Sequence, residues 1–246
     1  MGERTGGRFL QELWGGKILP VSAQFKKTRG FARALADFLT FPLRALTLFH
    51  SDLFFLSSLA SERFYYVAAE VEGVCLDVGC GRGNRFVSEF LGGNGEGVDV
   101  FPYEGLNREN LVKDLSRFPF KTASFGTVTF IANINHVPKK LRDKELSEAF
   151  RCLRIGGKIA ITMGNPLAEI AVHKVVHLYD RFLGTHNDLD GERGMDEIEE
   201  AFFLTDAEIV GRLKKAGFSR IRKRYFVTQW FLNHMFIADK SRDWKG

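Results

Sequence analysis

Cysteine is scarce in this chain: Cys75, Cys80 and Cys152 are the only three in 246 residues, with no C-x-x-C pair among them. An odd number, two of them within a few positions of each other, excludes a disulfide framework and leads us to expect reduced thiols in a cytoplasmic protein. Long apolar runs are missing too. A membrane-spanning helix needs about 18 uninterrupted apolar residues, and the most apolar region, from Phe31 to Val71, is broken by Arg33, Asp37, Arg44, His50 and Asp52. The first 30 residues lack the apolar core of a secretory signal, and Gly6 stands where a myristoylation site wants Ser or Thr. No internal repeat is present. Tyr and Trp are few, 5 and 3, against 24 Phe, so the aromatic surface carries little hydrogen-bonding capacity.

A general excess of one charge is also lacking. The 35 Lys and Arg outnumber the 30 Asp and Glu by five, and that whole excess lies in residues 1–50, which hold eight basic and three acidic side chains. The remainder of the chain is balanced. A protein that coats nucleic acid along its length is therefore excluded, while a local anionic partner for the N-terminal fifth stays open.

What the sequence does contain is an ordinary globular composition, 45% hydrophobic and 26% charged, on a chain long enough for one large domain with an appendage. Residues 1–30 are basic and Gly-rich and read as an arm. Residues 31–71 are Phe-rich, with helical spacing at Phe31, Leu35, Phe38 and Leu39 and a break at Pro42, and read as a helical cap. From about 72 to 240 short apolar runs alternate with helices: strands are expected at 74–78, 95–100, 111–113, 125–133 and 158–163, an amphipathic helix at 139–153, and a helix capped by Thr205 that ends at Gly217. Two β-rich runs, 220–228 and 230–238, imply a closing antiparallel hairpin. Residues from about 164 to 204 interrupt this alternation as an insertion, whose acidic part, 188–200, reads as a surface lid. The pattern is that of an α/β domain with a mostly parallel sheet and helices on both faces.

The most informative stretch is Asp77-Val78-Gly79-Cys80-Gly81-Arg82-Gly83, between a buried strand and a helix start. Glycines let a backbone approach a ligand closely, and a helix start offers free N–H groups. The spacing is G-x-G-x-G, with Asn84 in place of the third glycine of a dinucleotide fingerprint. This loop resembles motif I of the class I S-adenosylmethionine-dependent methyltransferases, and four further blocks follow in the family's order: GVDVFP, VKDLSRFPF, FPFKTASFGTVTFIANINHVP and EAFRCLRIGGKIAIT, before a matching final helix and strand. The resemblance covers about residues 72–238. It implies a Rossmann-like seven-stranded sheet of order 3-2-1-4-5-7-6 with the last strand antiparallel, S-adenosylmethionine as cofactor and S-adenosylhomocysteine as product. Carried over position by position, it implies that Asp77, Gly79, Cys80, Gly81 and Gly83 hold the methionine end. Asp99 with Val100 would hold the ribose, Asp114 with Leu115 the adenine, and Ala132 with Asn133 would line the site. One departure stands out: the family's Phe-Asp-x-Val is here Phe125-Gly126-Thr127-Val128.

In this fold the acceptor binds beyond the carboxyl ends of the strands, here at residues 133–136 and 164–195. His136 is the candidate base or acceptor-orienting group, against the alternative of a His that bonds a loop carbonyl. His173 and His177, four apart, share a helical face and with Tyr179 are candidate substrate contacts; no ligand signature accompanies them, and no metal is expected. DNA is not expected as a partner either, since the fourth strand is followed by Ile-Asn-His-Val and not by Asn/Asp-Pro-Pro-aromatic. Seven Phe between 31 and 64 would make the pocket cover greasy, which favours a small, apolar or lipid-like acceptor. With the basic excess, residues 1–60 would also suit peripheral contact with an anionic membrane at the inner face, the alternative being ordinary core packing. A non-catalytic cofactor-binding module and an enzyme acting on protein or RNA are the competing functional classes.

Overall fold

The computed structural model describes residues 25–46, 52–113, 116–165, 181–182 and 204–241. Six strands form one sheet: β1 (Cys75–Val78), β2 (Gly95–Val98), β3 (Phe125–Phe130), β4 (Leu153–Gly164), β5 (Ser219–Tyr225) and β6 (Asn233–Asp239). Their order is β2-β1-β3-β4-β6-β5, with β1 to β4 parallel and β6 antiparallel to both of its neighbours. The sheet therefore has six strands among the described residues and not the seven expected. The missing one is the run at 111–113, reduced to a single parallel bridge between Leu111 and Asp99. Among the described residues this run has one pairing residue, Leu111, where a strand needs several.

Alternation along the strands sends side chains to two separate cores. Leu76, Val78, Ile159, Ile161 and Phe236 pack with helix α4 (Lys139–Cys152) and helix α5 (Asp206–Ala216) on one face. Cys75, Ala160, Met235 and Ile237 pack with helix α3 (Leu59–Glu70) and the helical turn Phe86–Phe90 on the other. Helix α5 starts at a capping box in which Thr205 and Glu208 exchange bonds, and stops at left-handed Gly217. Strand β4 begins earlier than expected. Gly156, at φ +76°, and Gly157 lie inside it, and the ladder to β3 slips there, so the pair makes a bulge and not a stop. The Gly126 departure has a local cause: a Cβ there would lie 2.1 Å from the Glu72 carbonyl oxygen, so an Asp is excluded by the backbone of residues 72–73.

Ahead of the sheet, helices α1 (Phe31–Leu39) and α2 (Phe41–Leu46) join α3. Helix α1 is turned inside out. The residue it buries is Asp37, while Phe31, Leu35 and Leu39, spaced four apart, face solvent. Asp37 belongs to a closed charge ring: Arg29 Nη1 reaches Asp37 Oδ2 at 2.9 Å and Glu62 Oε1 at 2.8 Å, and Arg44 Nη1 reaches Glu62 Oε2 at 2.9 Å. Arg44 Nη2 also donates to the Asp37 carbonyl, and Gln229 Nε2 donates to Glu62. Asp37, Arg44 and Glu62 are wholly buried. Thus Asp37 and Arg44, two of the charges that interrupt the apolar run in the sequence, lie inside the cap, while Phe31, Leu35 and Leu39 lie on its outside.

Candidate active site

Strand β1 ends at Val78, in register with Val98 of β2 and Phe130 of β3. The three strands deliver their following loops to one edge of the sheet, the carboxyl edge at which ligands bind in open parallel sheets. Gly79, Gly81 and Gly83 have φ values of +71°, +63° and +69°, a region that side-chain-bearing residues enter at a cost. The loop is pinned from below, because the Gly79 and Cys80 N–H groups both donate to the Val98 carbonyl, at 2.8 and 3.1 Å. Asn133, just past β3, clamps it from the side: its Nδ2 donates to the Val78 carbonyl at 3.2 Å, and a Cβ on Gly79 would lie 2.2 Å from the Asn133 side chain. By contrast, a Cβ on Gly81 or Gly83 would meet nothing within 4 Å. The loop is tight where it touches the protein and open on its outer side.

Two carboxylates sit beneath this opening. Asp77 is buried on β1, and its Oδ1 accepts a 2.7 Å hydrogen bond from the Thr129 hydroxyl, directly opposite on β3. Burial pushes the Asp77 carboxyl up to about 7; the Thr129 bond opposes this and the nearby Asp99 charge adds to it. Asp99, one residue beyond β2, is also buried. Its Oδ2 accepts from the Gly81 N–H at 2.9 Å and its Oδ1 from the Phe101 N–H at 3.0 Å, so it ties the glycine loop to the 99–101 turn and keeps lone pairs available on both oxygens. Val100 is partly exposed beside it. Burial, with Asp77 and Asp99 adding their charges, pushes the Cys80 thiol well up from its ordinary value, which leaves it a small packed side chain and no nucleophile.

The structure thus brings together Asp77, Gly79, Cys80, Gly81, Asp99 and Asn133. Gly83 faces the neighbouring 101–106 segment, donating to the Glu104 carbonyl at 2.9 Å. Ala132 holds φ +50°, fixed by its N–H bond to the Thr162 hydroxyl at 2.8 Å. His136 closes a short turn, Ile134–His136, one step beyond Asn133, to whose carbonyl it donates its backbone N–H at 2.9 Å; its side chain is half-buried. Asp114, Leu115, His173, His177 and Tyr179 lie outside the described residues, as does the acidic segment 188–200. Among the described residues no cluster of His, Cys, Asp and Glu of the kind that holds a metal occurs, and no helix is long and apolar enough to cross a membrane.

Sequence reasoning missed several supports. Thr129 orients Asp77; the signal was a pair of threonines, at 127 and 129, on one face of an otherwise apolar strand. Arg142, buried on α4, donates to the Asn135 and Val137 carbonyls at 3.1 and 2.7 Å and so fixes the turn that carries His136. Asn110 fastens the Asp99 turn through its carbonyl, which accepts the Asp99 N–H at 2.8 Å, and through Nδ2, which donates to the Gly97 carbonyl at 2.8 Å. Neither Arg142 nor Asn110 lies in a block that the sequence marks.

Residues 76–161, which span this edge from β1 to the middle of β4, match the family described as a methyltransferase domain. Over this stretch, about a third of the chain, the protein is similar to methyltransferase domains. Solved structures agree at the level of the fold. A SAM-dependent methyltransferase from Thermotoga maritima superposes with a TM-score of 0.50 at 15% identity, over 85% of this chain and 98% of its own. Another from Archaeoglobus fulgidus does so with a TM-score of 0.51 at 15% identity, over 74% and 93%. No curated protein sequence matches the chain. S-Adenosylmethionine is the methyl donor of the proteins this stretch resembles, and the edge fits it: a loop open on the outer side of Gly81 and Gly83, with two buried carboxylates under it, suits a ligand with a cationic end and a hydroxylated sugar.

Proposed function

We propose that this methyltransferase transfers the sulfonium methyl to a small, apolar or lipid-like acceptor and releases S-adenosylhomocysteine. The observation that carries the cofactor half is the Gly81 N–H to Asp99 Oδ2 bond, which joins the ends of adjacent parallel strands into one cradle. S-Adenosylmethionine supplies an already activated methyl group. The protein's part is alignment and exclusion of water, because an in-line displacement gains most from a fixed approach geometry.

In this reading Asp77 and the glycine loop hold the methionine end, and Asp99 and Val100 take the ribose. Asp114 and Leu115 take the adenine, and Ala132 and Asn133 line the path to the acceptor. His136 accepts the acceptor's proton where one must leave, or orients the acceptor where none does. Asn135 adds a second orienting group: it is buried and its Oδ1 has no hydrogen-bond partner among the described residues. His173, His177 and Tyr179 extend the acceptor side. The apolar character of the acceptor rests on the seven Phe that the sequence places between residues 31 and 64.

Calorimetry with S-adenosylhomocysteine tests the cofactor assignment. Asp99→Ala removes the acceptor of two loop N–H bonds and of the ribose, and a 10- to 100-fold weaker Kd is expected, the equivalent of about 1.5–3 kcal/mol for hydrogen bonds to a charged group. Unchanged affinity would remove Asp99 from the site.

A further inference from the structure

Among the described residues the cap exposes an apolar surface that no other element covers. Helix α1 contributes Phe31, Leu35 and Leu39, with Phe31 83% exposed. Two tight turns extend it, and both are built against backbone preference. Between Leu53 and Leu56, which pair as an antiparallel bridge, Phe54 and Phe55 hold φ of +48° and +63°. After the turn Val227–Gln229, Trp230 and Phe231 hold +52° and +63°. Consecutive left-handed positions in a turn ordinarily take Asn and Gly, since a side chain there costs about 1–2 kcal/mol per residue. Here all four are aromatic, and Phe54 and Phe55 are 85% and 93% exposed, so their rings recover almost none of that cost by packing on the protein.

The three elements adjoin. Trp230 Nε1 donates to the Phe38 carbonyl at 2.8 Å and its ring lies against Phe38 and Phe41, while Arg33 of α1 bonds Asp52 and Ser57 on either side of the first turn. Basic side chains outnumber acidic ones around them. Segments 25–46, 52–57 and 219–232 contain nine Lys and Arg against Asp37 and Asp52; Arg29 and Arg44 are held with Asp37 in the buried ring and Arg33 pairs with Asp52, while Arg220, Arg222 and Arg224 stay exposed beside Asp239 and Glu70.

We propose that this surface docks on an anionic lipid bilayer. Helix α1 lies in the interface with its Phe31-Leu35-Leu39 stripe toward the acyl chains, and the two aromatic turns sit at headgroup depth, where Trp and Phe are favoured. The exposed Arg220, Arg222 and Arg224 face lipid phosphates. A lipid surface suits these elements better than a protein partner does, because protruding uncharged tips in a basic surround supply depth and charge but no hydrogen-bonding pattern to be matched. The docking does not depend on the acceptor assigned above.

Vesicle sedimentation of the full chain tests it. Binding to phosphatidylcholine vesicles carrying 30 mol% phosphatidylglycerol is expected to be at least ten-fold tighter than to phosphatidylcholine alone, and to weaken in 0.5 M salt. Phe54→Asn with Phe55→Gly and Phe231→Gly supplies the residues such turns prefer, so the melting temperature should hold or rise while vesicle affinity falls at least ten-fold. Leu35→Gln with Leu39→Gln, at exposed helix positions, should lose affinity in the same way. Wild-type protein left in the supernatant with anionic vesicles at low salt would overturn the proposal, as would variants that bind like wild type. A dimer in analytical ultracentrifugation that the variants abolish would overturn it too, and would assign the face to a second copy of the chain. Absence of S-adenosylhomocysteine binding with vesicle binding intact would remove the methyltransferase reading and leave the docking standing.

Discussion

Asp77→Asn should stabilise the cofactor-free protein while weakening cofactor binding, with a pH dependence fixed by the site. The Asp77 carboxyl is raised from an ordinary value of 3.8 to about 7 in the folded chain, chiefly by burial. A carboxyl whose folded value lies above its unfolded value keeps its proton in the folded state while the unfolded chain has lost it. Stability contributed by this group therefore falls as pH rises from about 4 to about 7, and levels off above. Three pKa steps at 1.36 kcal/mol each set the whole effect at about 4 kcal/mol. Asn has nothing to ionise, and its carbonyl oxygen can accept the same bond from Thr129 that Asp77 Oδ1 accepts now. Urea unfolding without cofactor should show the variant about as stable as wild type near pH 4.5 and more stable by up to about 4 kcal/mol at pH 8.5. Calorimetry at pH 8.5 should show the variant binding S-adenosylmethionine at least ten-fold more weakly, having lost the carboxylate that pairs with the cationic end. A stability gap that does not widen with pH would refute the argument, because it would mean that Asp77 ionises in the folded chain as it does in water.

Glu62→Ala would leave the Arg29 and Arg44 guanidinium groups without their shared carboxylate inside the cap; a loss of about 3–5 kcal/mol in urea unfolding is expected. Gly79→Ala should destabilise through the Asn133 contact and the left-handed backbone, and Asn133→Ala in the same chain should recover the contact part but not the backbone part, a coupling that a double-mutant cycle reads directly. His136→Ala should lower kcat at least ten-fold with KM little changed if His136 moves a proton; a change confined to KM would leave it an orienting group only.

The order of blocks from Asp77 to Phe236 was legible because each rests on local rules. These are a glycine loop after a buried strand, an acid after the next strand, a capping box at Thr205 and the Gly217 stop. The third strand was not legible as a single bridge, since three apolar-leaning residues say nothing about how many partners they find. The strand expected to begin at 158 begins instead at Leu153, because α4 runs directly into β4 and Gly156-Gly157 bulge the strand without ending it. The largest difference lies in the cap. Helical spacing at Phe31, Leu35 and Leu39 places them on one face, but spacing cannot say whether that face is inside. The decision came from Arg29, Asp37, Arg44 and Glu62, which satisfy one another only when buried together, a relation among four separated positions that no window reveals.

The charge ring also sets an order of assembly. Arg29 bonds Thr228, 199 positions away, and Glu62 bonds Gln229, 167 positions away. Contacts of such separation cannot form until nearly the whole chain is available. On a ribosome the cap emerges first, but its charged interior is completed only when the connection between β5 and β6 arrives, after the cofactor loop and most of the sheet have left the tunnel. The N-terminal helices are thus first made and last fixed, and loss of the C-terminal hairpin would unlatch the opposite end of the sequence.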